Sequence, residues 1–390
     1  MSPAVHLPEA VRWERMRQRA LLAGLIGLAL CLLAAVISPS HALRSYLVAF
    51  NFWLGIPLGC LALLMLQHLT GGIWGLVLRR IFESAAHTLG LLALLFLPLL
   101  LGLLGRPPLL YSWVGNTDPE LLEKSWYLNV PFFIARTVIY FLVWLTLAFF
   151  LYRWSGEEDQ NPISPRRLRR LSGPGLVLYG LTITFASIDW VMSLEPHWYS
   201  TIYPVLFAVG QILEGMAFSI VVLVAIGSQS PFEILLGPRR RRDLGNLILA
   251  FVMMWAYLSF SQFLLIWSEN LPEEIPWYLR RTRGCWQWLA LLLVVFQFGL
   301  PFLLLLSREV KEDPRRLAAV ALLILVMRYL DVFWWIEPAF SDGVSFYVLV
   351  DLAALVGLGG IWVWHFLNQL GKLPLLPLHD PTLAEGLAHE

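Results

Sequence analysis

GLVLYGLTITFASIDWVMSLEPHW (Gly175–Trp198) begins as an apolar run and ends by gathering Asp189, Glu195 and His197. A helix needs about 20 consecutive apolar residues to cross a hydrocarbon core about 30 Å thick, and the run ending at Met192 approaches that length. The stretch has a partner: DVFWWIEP (Asp331–Pro338) closes another apolar run with the same Asp to Glu-Pro spacing as DWVMSLEP (Asp189–Pro196). A second pair lies upstream of each, PELLEKSWYL (Pro119–Leu128) and PEEIPWYL (Pro272–Leu279). Four apolar runs separate the copies, so both copies run the same way through the membrane. That predicts a parallel repeat of two four-helix bundles, unlike the inverted repeats of many secondary transporters. The alternative is that interfacial loops rich in Trp resemble one another because aromatic rings prefer the membrane boundary.

Composition supports the membrane reading. Of 390 residues, 58% are hydrophobic and only 14% charged, far from the mix of soluble domains. The formal net charge of +1 gives no footprint for nucleic acid. The three cysteines, Cys31, Cys60 and Cys285, lie in apolar segments without CxxC or CxxCH spacing. No iron–sulfur cluster or c-type haem held by this chain is therefore expected, and no metal site.

Ten apolar runs follow one another, at about 20–37, 46–69, 84–104, 129–152, 174–192, 200–226, 244–268, 285–307, 316–336 and 345–370. The expected fold is an all-α integral membrane protein with about ten transmembrane helices. Its organisation would be a cytoplasmic N-terminal segment (1–19), a peripheral first helix (20–45), two bundles (46–199 and 200–344), a peripheral tenth helix (345–370) and a cytoplasmic, loosely ordered tail (371–390). The first run also admits a signal-peptide reading, with Ser40–Ala42 as cleavage site, but it is long for that role. Lys and Arg fall 20 on one set of connections and 6 on the other, with Arg136 and Arg328 inside helices. That bias predicts both termini in the cytoplasm.

Charges inside a membrane need a partner, water or a function. Near the outer side the spans carry Arg136, Asp189, Arg328, Asp331 and Asp351, with Glu195, His197, Glu273, Glu274 and Glu337 in adjoining loops. Arg328 and Asp331 share a helix face and can pair. Asp189 has Ala186 where the repeat has Arg328, so its expected cation is Arg136. Two buried ion pairs fixing helix register is one reading; shifted carboxylates that take protons from a bound substrate is the other. Near the inner side, Glu83, His68 and His87, with Glu214 nearer the middle, suggest a wet cavity or proton half-channel. A bis-histidine haem on His68 and His87 is the sharper alternative, with nothing else to support it.

Three long motifs, GGIWGLVLRRIFE (Gly71–Glu83), SIDWVMSLEPHWYSTIY (Ser187–Tyr203) and the run Asp243–Arg281, occur in an order that resembles the second NrfD-like membrane subunit of bacterial alternative complex III. The resemblance covers spans 2 to 9. It implies a polysulfide reductase-like subunit of a quinol:cytochrome c, or quinol:oxidase, oxidoreductase in the respiratory chain. Implied with it are the bacterial inner membrane, membrane lipid, a sister NrfD-like subunit, an iron–sulfur subunit and c-type cytochromes on the outer face, and a terminal oxidase downstream. The cofactor it implies is quinol, bound near Asp189, Trp190, Glu195, His197 and Glu274. Catalysis would fall to Asp189, His197, Arg136, Asp331 and Arg328, and proton transfer to Glu214, His68, His87, Glu83 and Asp351. The sister subunit is expected to hold the principal quinol site. Rival readings are a proton-conducting or scaffold subunit without its own quinone site, and, from a different class, a solute transporter.

Overall fold

The computed structural model describes residues 10–104, 108–160, 166–227, 236–340, 348–372 and 374. Of the expected cytoplasmic segments, residues 1–9 and almost all of the tail after Lys372 lie outside these, as do residues 345–347 of the tenth run. The described chain is 85% helical and has no strands. Among the described residues, ten helices are long and apolar enough to cross a membrane: α1 (Trp13–Ile37), α2 (Pro39–Thr70), α3 (Arg79–Leu103), α4 (Val130–Glu158), α5 (Arg166–Leu194), α6 (Tyr203–Ile226), α7 (Pro238–Glu269), α8 (Trp286–Leu306), α9 (Pro314–Ala339) and α10 (Val348–Leu370). The protein is thus an all-α, multi-pass membrane protein. Its exposed large residues, among them Leu22, Leu33, Val138, Leu142, Phe260 and Leu303, give it a lipid-facing surface.

Helix boundaries follow local chemistry. Proline, which lacks an N–H to leave unsatisfied, opens α2, α7 and α9, and Asp313 caps α9 by accepting from the backbone of Arg315 and Arg316 at 2.8 and 3.1 Å. Gly71 and Gly72 turn the chain out of α2 at φ of 69° and 95°, which side-chain-bearing residues avoid, and lead into a short helix, Ile73–Leu76. One boundary differs from the sequence reading. Only Ser38 separates α1 from α2, and Ser40–Ala42 lie inside α2 rather than in a connection.

α2 is the most enclosed span, packed against α3, α5, α6, α9 and α10. α1 lies outermost and packs chiefly on α10. There Gly24 and Gly27 meet Gly360 and Gly357 so closely that a Cβ on any of them would strike opposing backbone. The same device joins α2 to α6: a Cβ on Gly59 would collide with the Gln211 carbonyl, and one on Gly215 would reach the Cys60 backbone. α4 packs on α5, whereas α7, α8 and α9 surround a second cluster with α6.

Candidate functional site

The three charged residues of the opening stretch go to three different places. Asp189 points inward at the end of α5 and is fully buried. Arg136 on α4 clamps it with two bonds of 2.8 Å, and the Tyr140 hydroxyl donates to it at 2.6 Å. The expected Arg136–Asp189 pairing is therefore present. Aromatic rings complete the enclosure: Trp190 packs on Phe96, Phe141, Trp144 and Tyr140 with centroids 4.9 to 6.0 Å apart. Glu195 instead joins the two halves, accepting from Arg280 at 2.6 Å and Arg281 at 2.7 Å. Arg281 also donates to the carbonyl of Trp335, beside the second copy of the motif. Both copies thus lie at one end of the molecule. His197, expected near Asp189, sits on the surface with Glu120 at 2.9 Å and Asp118 at 3.5 Å. Lys124 and His197 hold the exposed Glu120 carboxyl below its usual range. Glu274 is half-buried in the loop after α7, and burial with nearby Glu269 and Glu273 pushes its carboxyl up.

Asp331 on α9 pairs closely with Arg328, as its spacing predicts, and accepts from the Trp255 indole at 3.0 Å. Gln297 on α8 completes this group. Its amide nitrogen lies 3.3 Å from Asp331; turned over, its oxygen would accept from Trp255 at 3.2 Å. Gln297 belongs to a π-helical turn, Val294–Gly299, whose wider winding shifts the register of α8. The group borders a cavity of about 630 Å³ bounded by Tyr203, Met253, Trp255, Phe260, Phe298 and Trp335 among others. The walls are almost wholly apolar, with Asp331 and Gln262 as the polar exceptions that matter. Gln262 is 2% exposed, and its side-chain oxygen has no hydrogen-bond partner among the described residues.

The expected inner cavity is not assembled from the residues assigned to it. Glu83 is fully buried between Arg79 at 3.0 Å and Arg80 at 2.7 Å, in a network that also takes in Glu158 and Ser155. His87 stacks on Tyr152 beside a separate cavity of about 420 Å³ that neither Glu83 nor His68 lines. Glu214 lies elsewhere again, in the α2–α6 seam, where a Cβ on Gly55 would strike its carboxylate. Both its oxygens are buried without a hydrogen bond, and its charge neighbours are Arg328 and Asp331. Asp351 accepts from Ser45 at 2.5 Å near the start of α10. Among the described residues no group of three or more His, Cys, Asp or Glu side chains could hold a metal.

Sequence reasoning missed Tyr140, Trp255 and Arg281. No spacing in the sequence marks them; only packing turns them inward.

The chain matches no protein-family model, and no curated protein matches it significantly.

Proposed function

We propose that this chain is a quinol-binding membrane subunit of a respiratory quinol oxidoreductase, with its working site at Asp331. The observation that carries this is the mostly apolar cavity between α7, α8 and α9, which Asp331 and Gln262 face together with a few hydroxyls such as that of Ser259. A volume of about 630 Å³ suits a small aromatic ligand, and the exposed Phe260, Phe263 and Val294 flank the cavity on the lipid-facing side. A hydroquinone presents two hydroxyls across one ring. The Asp331 carboxylate is placed to accept one proton, with Trp255 and Gln297 orienting it, and the unpaired Gln262 oxygen accepts a hydrogen bond from the other hydroxyl. Electrons then pass to a cofactor in a partner, an outer-face iron–sulfur or cytochrome c subunit docked over the loops around Glu195 and Arg280. The resemblance to the NrfD-like subunits of alternative complex III supports this setting in a bacterial inner membrane, and the Lys and Arg bias supports an orientation with the Asp331 end outside and both termini in the cytoplasm.

Asp331→Asn in the purified complex tests the assignment: quinol oxidation should fall about 100-fold with the complex intact. Undiminished turnover would remove Asp331 from the reaction. A second reading, proton conduction, is favoured by Glu214, whose buried oxygens lack hydrogen bonds and whose charge neighbours are Arg328 and Asp331. Glu214→Gln should then lower protons moved per electron while quinol turnover survives.

A further inference from the structure

Two cavities meet at one ring. Trp277 is a wall of the apolar cavity that Asp331 borders, and also of a polar vestibule of about 670 Å³. The vestibule takes its polar lining from Arg44, Glu120, Glu195, His197, Glu273 and Arg280. Among the described residues no other side chain is common to both walls. Trp277 is 4% exposed, so the ring fills the gap in which it stands. Its surroundings fix it there. Trp198 stacks on it with centroids 4.6 Å apart and 13° between the planes, and Trp334 meets it edge-on at 5.6 Å. The Arg281 guanidinium lies 3.8 Å from its centre and donates to its backbone carbonyl at 3.2 Å, while the same guanidinium is tied to Glu195 at 2.7 Å. The repeated motif alone does not demand this burial: in the first copy the matching Trp126 is 76% exposed.

A roomy space lined by charges holds water, whereas an apolar one stays dry. The wall between two such spaces therefore decides how wet the second becomes, and at Trp277 that wall is a single indole. We propose that Trp277 is the water seal of the Asp331 cavity: the ring keeps vestibule water out, and the place it occupies is where that water enters when the ring is displaced. The seal acquires a use on the reading of Asp331 as proton acceptor, on which this purpose rests. A carboxyl beside an apolar cavity has no base on the lipid side, so its proton leaves toward the vestibule: the O–H bond on Asp331 breaks and one to a vestibule water forms. Ligand and proton then use different doors, lipid for the one and the Trp277 wall for the other.

Cysteine accessibility of the full chain in lipid nanodiscs, without quinol, tests the seal. Ser259, whose hydroxyl is buried at the cavity wall, carries the reporter as Ser259→Cys on a Cys285→Ser background, Cys31 and Cys60 being buried. The probe is a permanently cationic methanethiosulfonate, which acyl chains exclude and which therefore arrives only from water. The reporter should react slowly with Trp277 in place and about tenfold faster in Trp277→Ala, whose missing indole leaves room for water. Phe260→Ala, which removes a ring on the lipid-facing side of the same cavity, should leave the rate unchanged. Trp198→Ala takes away the stacking partner alone and should give a smaller rise; it decides the matter if Trp277→Ala unfolds, which labelling of Cys60 reveals. Fast labelling with every ring in place, no gain in either tryptophan variant, or an equal gain in Phe260→Ala would each overturn the seal. With no quinol present, failure of the seal and failure of the Asp331 assignment are read in separate experiments.

Discussion

The two halves of this protein carry the same signature and use it differently. At Asp189 the carboxylate is saturated: two bonds from Arg136, one from Tyr140, and a wall of aromatic rings led by Trp190. At Asp331 the cation comes from one turn earlier on the same helix, the supporting donor is the Trp255 indole, and one side opens into a cavity. The repeat puts Val332 where the first half has Trp190. A bulky indole fills the first site and a small aliphatic side chain takes the matched position in the second. The lesson is that a repeated motif can be kept for its fold in one copy and for its space in the other.

Experiments that break this contrast should do so unequally. The largest expected effect is at the closed site: Asp189→Asn strands the Arg136 cation, which should cost about 3 to 5 kcal/mol and appear as loss of folded chain in detergent thermal melts. If Asp189→Asn melts like wild type and only turnover falls, the roles of the halves are exchanged. Next comes the loss of turnover in Asp331→Asn described above, with thermal stability expected to fall less than for Asp189→Asn because Asp331 itself borders a cavity whereas Asp189 is enclosed by rings. Ala256→Phe, which pushes a ring into the cavity, should raise KM for quinol about tenfold with little change in melting. The pair Tyr140→Phe and Trp255→Phe sharpens the comparison further. Each removes one donor worth about 1 kcal/mol, but the first should lower stability and the second turnover. Smallest is the surface tether at His197. Because its partners hold the Glu120 carboxyl below the ordinary value, the tether is present above that ordinary value and is lost as pH falls through the lowered one. Hydrogen exchange of the backbone around His197 should quicken on acidification while Asp189 stays protected.

The helical fold was legible because lipid enforces long apolar runs, and a run of that length has few other readings. Charge pairing was legible wherever spacing dictated it, as for Arg328 and Asp331, or where a cation stood alone on the preceding span, as for Arg136. What the sequence hid was direction. His197 is two residues from Glu195, yet a turn after Leu194 sends one to the surface and the other into the seam with Arg281. Glu83 and His87 near the inner side, with Glu214 nearer the middle, read as the lining of one wet cavity, but azimuth around each helix separates them into an ion network, a ring stack and an acid without hydrogen bonds. The cavity itself was illegible, since its walls are apolar residues of the kind that also face lipid.

The α2–α6 seam has a consequence for how the molecule moves. Where Gly59 and Gly215 bring backbone against backbone, no side chain is left to act as a bearing, and Glu214 is locked beside Gly55. Carriers that alternate between inward-open and outward-open forms rock one half over the other, which here would mean parting a close backbone contact. Backbone packed this closely leaves the α2–α6 seam little room to slide, so the buried acid beside Gly55 keeps its place while the helices around it breathe.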